Sequence, residues 1–128
     1  MFDEAQKHTV IIVDDDDATR ASLRFLLECE GIEVDDFASV TDLLAAGWPP
    51  EAGCMVLDIH MPGMTGLDVL DRLHTMQSPL PVIVVTGQPD AANRRRAFAS
   101  GAMDVLEKPL NDDRIVELVQ SALKRAQG

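Results

Sequence analysis

The chain has 128 residues, enough to bury a full core in one domain, and its 46% apolar content is ordinary for a globular protein. A net charge of −11 argues against direct nucleic-acid binding by this domain, and the apolar runs are far too short to span a membrane. Met1 to His8 lacks the apolar segment of a signal peptide, so the expectation is one cytoplasmic domain over residues 1–128, structured from about 9 to about 125.

His8 to Val13 is a β-branched run without alternation, which predicts a parallel strand buried on both faces. It runs into Asp14 to Asp17, where Asp16 or Asp17 can cap the following helix, with Leu23, Leu26 and Leu27 inside and Gly31 as its stop. Ile32 to Phe37 is a short strand with an acidic outer edge. Ser39-Val40-Thr41-Asp42 resembles a capping box and opens a short helix to about Ala46, broken by Gly47-Trp48-Pro49-Pro50. Cys54 to Leu57 is the central strand and ends on Asp58. A loop with Pro62 and Gly63 follows. Thr65 can cap a helix with Val69, Leu70, Leu73 and Met76 facing inward. Val82 to Val85 is the fourth strand. Pro89 is expected to open a helix reaching Ser100, with a thin apolar stripe and three consecutive arginines, Arg94 to Arg96. Met103 to Leu106 is the fifth strand. Asn111 or Asp112 starts the last helix, whose face of Ile115, Leu118, Val119 and Ala122 is widened by Val116 and Leu123.

Five strand–helix units with short connections predict an α/β fold. This is a doubly wound, five-stranded parallel sheet with helices on both faces and the flavodoxin-like order 2-1-3-4-5. No Lys or Arg lies between Phe25 and Asp71, so one side should be acidic and the arginine cluster a small basic patch. Cys29 and Cys54 have no metal-ligand spacing and read as reduced, buried thiols. His8 and His74 read as surface or helix-end residues, and Trp48 as a packing residue in a loop.

Four strands end on groups that can work together. Asp14 and Asp15 follow the first, Asp58 the third, Thr86 the fourth and Lys108 the fifth. Clustered carboxylates raise one another's pKa unless a cation offsets them, and oxygen-only ligands at a solvated edge suit Mg²⁺. Asp16 and Asp17 read as helix-capping charges, Asp14 and Asp15 as metal ligands. Lys108 is within reach of the acidic cluster, and Gly87 leaves room for a group to approach Thr86.

Val13-Asp14-Asp15, Leu57-Asp58-Ile59-His60-Met61-Pro62-Gly63, Val85-Thr86-Gly87 and Glu107-Lys108-Pro109 together resemble the receiver domain of two-component response regulators. The resemblance covers about Thr9 to about Lys124. It implies that Asp58 accepts a phosphoryl group from a sensor histidine kinase. It also implies that Asp14, Asp15, Asp58 and the His60 backbone carbonyl hold Mg²⁺, for which Mn²⁺ can substitute. Thr86 and Lys108 would contact phosphoryl oxygens, and the Lys108–Pro109 bond would be cis. Such a domain is not a conventional enzyme, although it catalyses its own phosphorylation and dephosphorylation. His60 and Gln88 would flank the phosphoryl group and influence its lifetime, so changing His60 should alter autodephosphorylation. The face of the fourth helix, fifth strand and fifth helix would carry homodimer contacts.

One position departs from the family pattern. Val105 stands where an aromatic read-out residue is usual, and the chain has no Tyr. The signal is therefore expected to pass through the helix around Arg94 to Phe98. Three rivals remain. A degenerate receiver acting only as a binding module would not need the complete set of Asp15, Asp58 and Lys108. An aspartyl-phosphate phosphatase needs a second carboxylate at the position of His60. A flavodoxin-like nucleotide binder needs a phosphate loop where Asp14 to Asp17 would repel phosphate.

Overall fold

The computed structural model describes residues 8–47, 51–60, 65–88 and 90–127. Strands β1 (Thr9–Val13), β2 (Glu33–Phe37), β3 (Ala52–Asp58), β4 (Val82–Thr86) and β5 (Asp104–Glu107) form one parallel sheet in the order β2-β1-β3-β4-β5. The apolar runs in β1, β3 and β4 are buried nearly throughout because helices cover both faces. Alternate residues divide them between two layers. Ile11, Val13, Met55, Leu57, Val82 and Val84 pack into one cluster, Val10, Ile12, Cys54, Val56, Ile83 and Val85 into the other.

Helices α1 (Asp17–Cys29) and α5 (Asp112–Gln127) cover the second cluster. Leu23, Leu27, Ile115, Leu118, Val119 and Ala122 complete it. Helices α2 (Val40–Ala46), α3 (Gly66–Thr75) and α4 (Ala91–Ala99) cover the first, through Val40, Leu43, Leu67, Val69, Leu70, Leu73 and Ala97. Local chemistry sets the helix starts. The side chains of Asp16, Ser39, Thr65, Asp90 and Asn111 each accept a hydrogen bond from a backbone N–H in the first turn. In α3 the cap is reciprocal, since the Thr65 backbone N–H donates to Asp68. Gly31 takes φ +78° after α1, a conformation open to glycine at little cost.

Several expectations need correcting. Met76 is 69% exposed: α3 ends at Thr75, and Met76 caps it beside the cleft between α2 and α3 instead of entering the core. Leu67, in the first turn of α3, is buried instead. Cys54 is buried, its thiol pushed up to about 12 by burial, but Cys29 is exposed at the end of α1. Helix α4 begins at Ala91 on its Asp90 cap. Pro89, the loop at Pro62 and Gly63, and Trp48 to Pro50 lie outside the described residues. Val116 and Leu123, which widen the inner face of α5, pack partly buried against the domain's own core.

Helix α4 differs from the others. Ala97 is its one buried residue, so little apolar area holds it to the sheet. Polar links take over. Arg96 bonds Asp71 of α3 at 2.5 Å, and Ser100 donates to the same carboxylate. Arg94 donates to the Val105 carbonyl at 3.2 Å and lies 5.2 Å from the Phe98 ring centroid.

Gly66, the first residue of α3, sits hard against the end of β3. A Cβ there would lie 2.4 Å from the Asp58 carbonyl oxygen and 2.7 Å from the Ile59 Cα. Both neighbours are backbone, so neither yields cheaply. Gly66→Ala is expected to destabilise the fold by about 1–3 kcal/mol, read as a lower urea midpoint with an unchanged slope.

Candidate functional site

Sheet register builds the site. Val13 pairs with Leu57, so the residues that follow them, Asp14 and Asp58, emerge side by side at the carboxyl edge. Asp58 pairs with Val85, next to Thr86, and Thr86 pairs with Glu107, next to Lys108. This edge lies where the chain winds in opposite directions from β1 and β3, the usual ligand position in open α/β sheets. Carboxylate oxygens of Asp14, Asp15 and Asp58 all lie within 4.8 Å of one another. Asp14 and Asp58 are buried, whereas Asp15 is exposed.

Lys108 ties the buried pair together. Its Nζ lies 3.1 Å from Asp14 Oδ2 and 3.2 Å from Asp58 Oδ2. The other oxygens are also held: Asp14 Oδ1 accepts from the Asp16 N–H at 2.8 Å, and Asp58 Oδ1 from the His60 N–H at 2.8 Å. At an effective dielectric of ~20, two carboxylates this close repel by about 3 kcal/mol, and an ammonium near 3 Å attracts each by about 5 kcal/mol. Lys108 therefore holds the pair together. Three carboxylates against one ammonium still leave a formal surplus of two negative charges, open to solvent at Asp15. All-oxygen donors with that surplus fit a hard divalent cation. The Lys108–Pro109 peptide, which shapes the turn after Lys108, is cis.

Thr86 is buried and its hydroxyl is fully engaged. It donates to the Gln88 carbonyl at 2.9 Å, accepts from the Gln88 N–H at 3.1 Å, and lies 2.7 Å from His60 Nε2. Beside it, a cleft of about 190 Å³ lined by Ile59, Gln88, Arg94, Val105 and Glu107 borders the small Val105 side chain.

The structure thus brings together Asp14, Asp15, Asp58 and Lys108, with Thr86 one strand away. Asp16 and Asp17 stand apart: Asp16 caps α1 and Asp17 pairs with Arg20. Sequence reasoning missed Arg20, which donates to the Asp14 carbonyl at 2.7 Å and pairs with Asp36. Its three-residue spacing from Asp17 was a signal for that pair alone. The His60–Thr86 contact was also missed, because two residues 26 apart show no local pattern.

Comparison with known proteins shows which family and fold this chain shares. The family model for the response regulator receiver domain matches residues 10–120. Transcriptional regulatory protein FixJ of Azorhizobium caulinodans is 43% identical over 117 residues, covering 91% of this chain and 56% of that protein. The C4-dicarboxylate transport transcriptional regulatory protein DctR of Rhodobacter capsulatus is 42% identical over 123 residues, covering 94% and 62%. The chain therefore spans little more than half the length of these relatives. Full-length FixJ from B. japonicum superposes with a TM-score of 0.84 at 39% identity, over 94% of this chain and 60% of that one. A CheY-like receiver domain protein from Methanospirillum hungatei superposes at 0.85 with 29% identity, over 94% and 97%.

The charge balance sets the response to pH. Burial raises the Asp14 carboxyl above its ordinary value; hydrogen bonds from Asp16 and Lys108 pull it down, and the Asp58 charge pushes it up again. A carboxyl raised in the folded state holds its proton more tightly there. Its stabilising contribution is complete below the unfolded value and is lost as pH rises through the folded one. Burial also works against the Lys108 charge, yet Asp14 and Asp58 carry its pKa above the ordinary lysine value. Its contribution is present below that value and is lost only in the alkaline range. Asp14→Asn is therefore expected to stabilise the metal-free protein at neutral pH, with the gain shrinking as pH falls and the Asp14 carboxyl takes up its proton. Urea unfolding from neutral to acidic pH measures it.

Proposed function

This chain belongs to the response regulator receiver domain family, and we propose that Asp58 accepts a phosphoryl group from the phosphohistidine of a sensor kinase and thereby switches the surface offered to an output domain or partner. The observation that carries this reading is the gathering of Asp58, its acidic neighbours, Lys108 and Thr86 at one sheet edge. In the transfer, an Asp58 oxygen forms the new O–P bond. The P–N bond to the donor histidine breaks, and its electron pair returns to the imidazole nitrogen. An ionised carboxylate needs no general base, so catalysis is positioning and charge neutralisation.

Each residue has a defined part. The His60 N–H fixes one Asp58 oxygen and Lys108 the other, which orients the nucleophile before the donor arrives. Asp14, Asp15, Asp58 and the His60 carbonyl would hold Mg²⁺ or Mn²⁺. The cation would supply charge neutralisation for the phosphoryl oxygens. Once phosphate is on Asp58, Lys108 pairs with one of its oxygens, and the Thr86 hydroxyl donates to another. The reaction acts on the domain itself, so the protein is a switch and not a conventional enzyme.

Read-out through α4 follows from its attachment. An element held by Asp71, Arg96, Ser100 and the Val105 carbonyl shifts at lower cost than one anchored in the core. The same face, α4–β5–α5, carries the exposed Phe98 and Arg95 and is where we place homodimer contacts.

Acetyl phosphate with Mg²⁺ is expected to add one hydroxylamine-labile phosphoryl group to the wild-type chain and none to Asp58→Asn, read by intact-protein mass spectrometry. Beryllofluoride is expected to change amide hydrogen exchange in α4; equal protection with and without it would defeat the read-out through this helix.

A further inference from the structure

His60 touches both halves of the site. Its backbone N–H holds Asp58 Oδ1 at 2.8 Å, and its ring Nε2 lies 2.7 Å from Thr86 Oγ1. The Thr86 hydroxyl has one proton. That proton is directed at the Gln88 carbonyl, an oxygen that can only accept. The Gln88 N–H points at the same hydroxyl and takes one of its lone pairs. With the hydroxyl proton on Gln88, the ring nitrogen brings its own, and His60 donates from Nε2 to the second lone pair of Thr86.

We propose that the His60 imidazole is a positioning residue that latches Thr86 in its resting place through an Nε2–H···Oγ1 hydrogen bond, which must break before Thr86 can serve a phosphoryl group on Asp58. The inference rests on the reading of Asp58 as phosphoacceptor. Thr86 can donate to a phosphoryl oxygen only by withdrawing its proton from Gln88. In this proposal, approaching Asp58 also carries its oxygen away from the ring. The ring is exposed and free to turn outward once released, whereas its backbone N–H can stay on Asp58. One residue therefore orders the nucleophile with its main chain and restrains the responding hydroxyl with its side chain. The latch biases the domain toward the unphosphorylated arrangement by the net worth of one hydrogen bond, about two- to tenfold in the resting-to-active equilibrium.

Two measurements test this. The first uses the metal-free, unphosphorylated protein. Long-range ¹⁵N–¹H correlation at pH ~8 should find the His60 ring as the Nε2–H tautomer. An Nδ1–H ring overturns the proposal. The second is the affinity for beryllofluoride with Mg²⁺. His60→Leu, which fills similar space without a donor, should bind about two- to tenfold tighter than wild type. His60→Gln, which keeps an N–H at similar reach, should stay near wild type. In a Thr86→Ala background the tightening by His60→Leu should vanish, because the group it released is gone. Weaker or unchanged binding by His60→Leu, or tightening that persists without Thr86, overturns the latch. A wild-type protein that takes up neither beryllofluoride nor phosphate overturns the phosphoacceptor reading and the latch with it. The tautomer result distinguishes that failure from failure of the latch alone.

Discussion

The ammonium of Lys108, midway between Asp14 and Asp58, is the contact on which the site depends. Two buried carboxylates would otherwise drive the ends of β1 and β3 apart, and those strands form the centre of the sheet. The arrangement is strained by design of its charges: the lysine is enough to hold the buried pair, but it leaves the cluster negative at the exposed Asp15. A site built this way is stable without a cation and yet attractive to one. Parallel register sets the geometry once the sheet forms, because Asp58 and Thr86 end β3 and β4 while Asp14 and Lys108 directly follow β1 and β5.

The two faces of the sheet are held by different physics. Helices α1 and α5 present aliphatic stripes that interlock with Val10, Ile12, Val56 and Ile83. Dispersion and water exclusion fix them over a broad area. On the other face α4 contributes Ala97 and little else, and depends on arginine, serine and aspartate contacts that water can replace. The rigid face supports the chemistry, while the loosely attached helix lies next to Thr86 and Val105, where a response would begin.

Much of this was legible in the residues, for a physical reason. Strands buried on both sides must be continuous apolar runs, so Val10 to Val13, Val56 to Leu57 and Val82 to Val85 announced themselves and their polar successors. Caps were legible at Ser39 and Thr65 because an N-cap is a local event. What escaped was set by distance in sequence or by helix ends. Met76 fits the apolar period of α3, but the helix stops one residue earlier and leaves it outside. Cys29 has the composition of a buried residue but lies on the open side of α1. The bonds from Arg20 to the Asp14 carbonyl and from His60 to Thr86 join segments that only the folded sheet brings together. The closeness of Gly66 to the Asp58 backbone belongs to the same class.

Strand β2 closes one side of the sheet, and its Glu33 and Asp35 are exposed. An open parallel edge is a template on which a foreign strand can grow. Here the rim repels any chain that carries a similar charge, including another copy of itself. The same acidity protects the edge from fibril-like stacking.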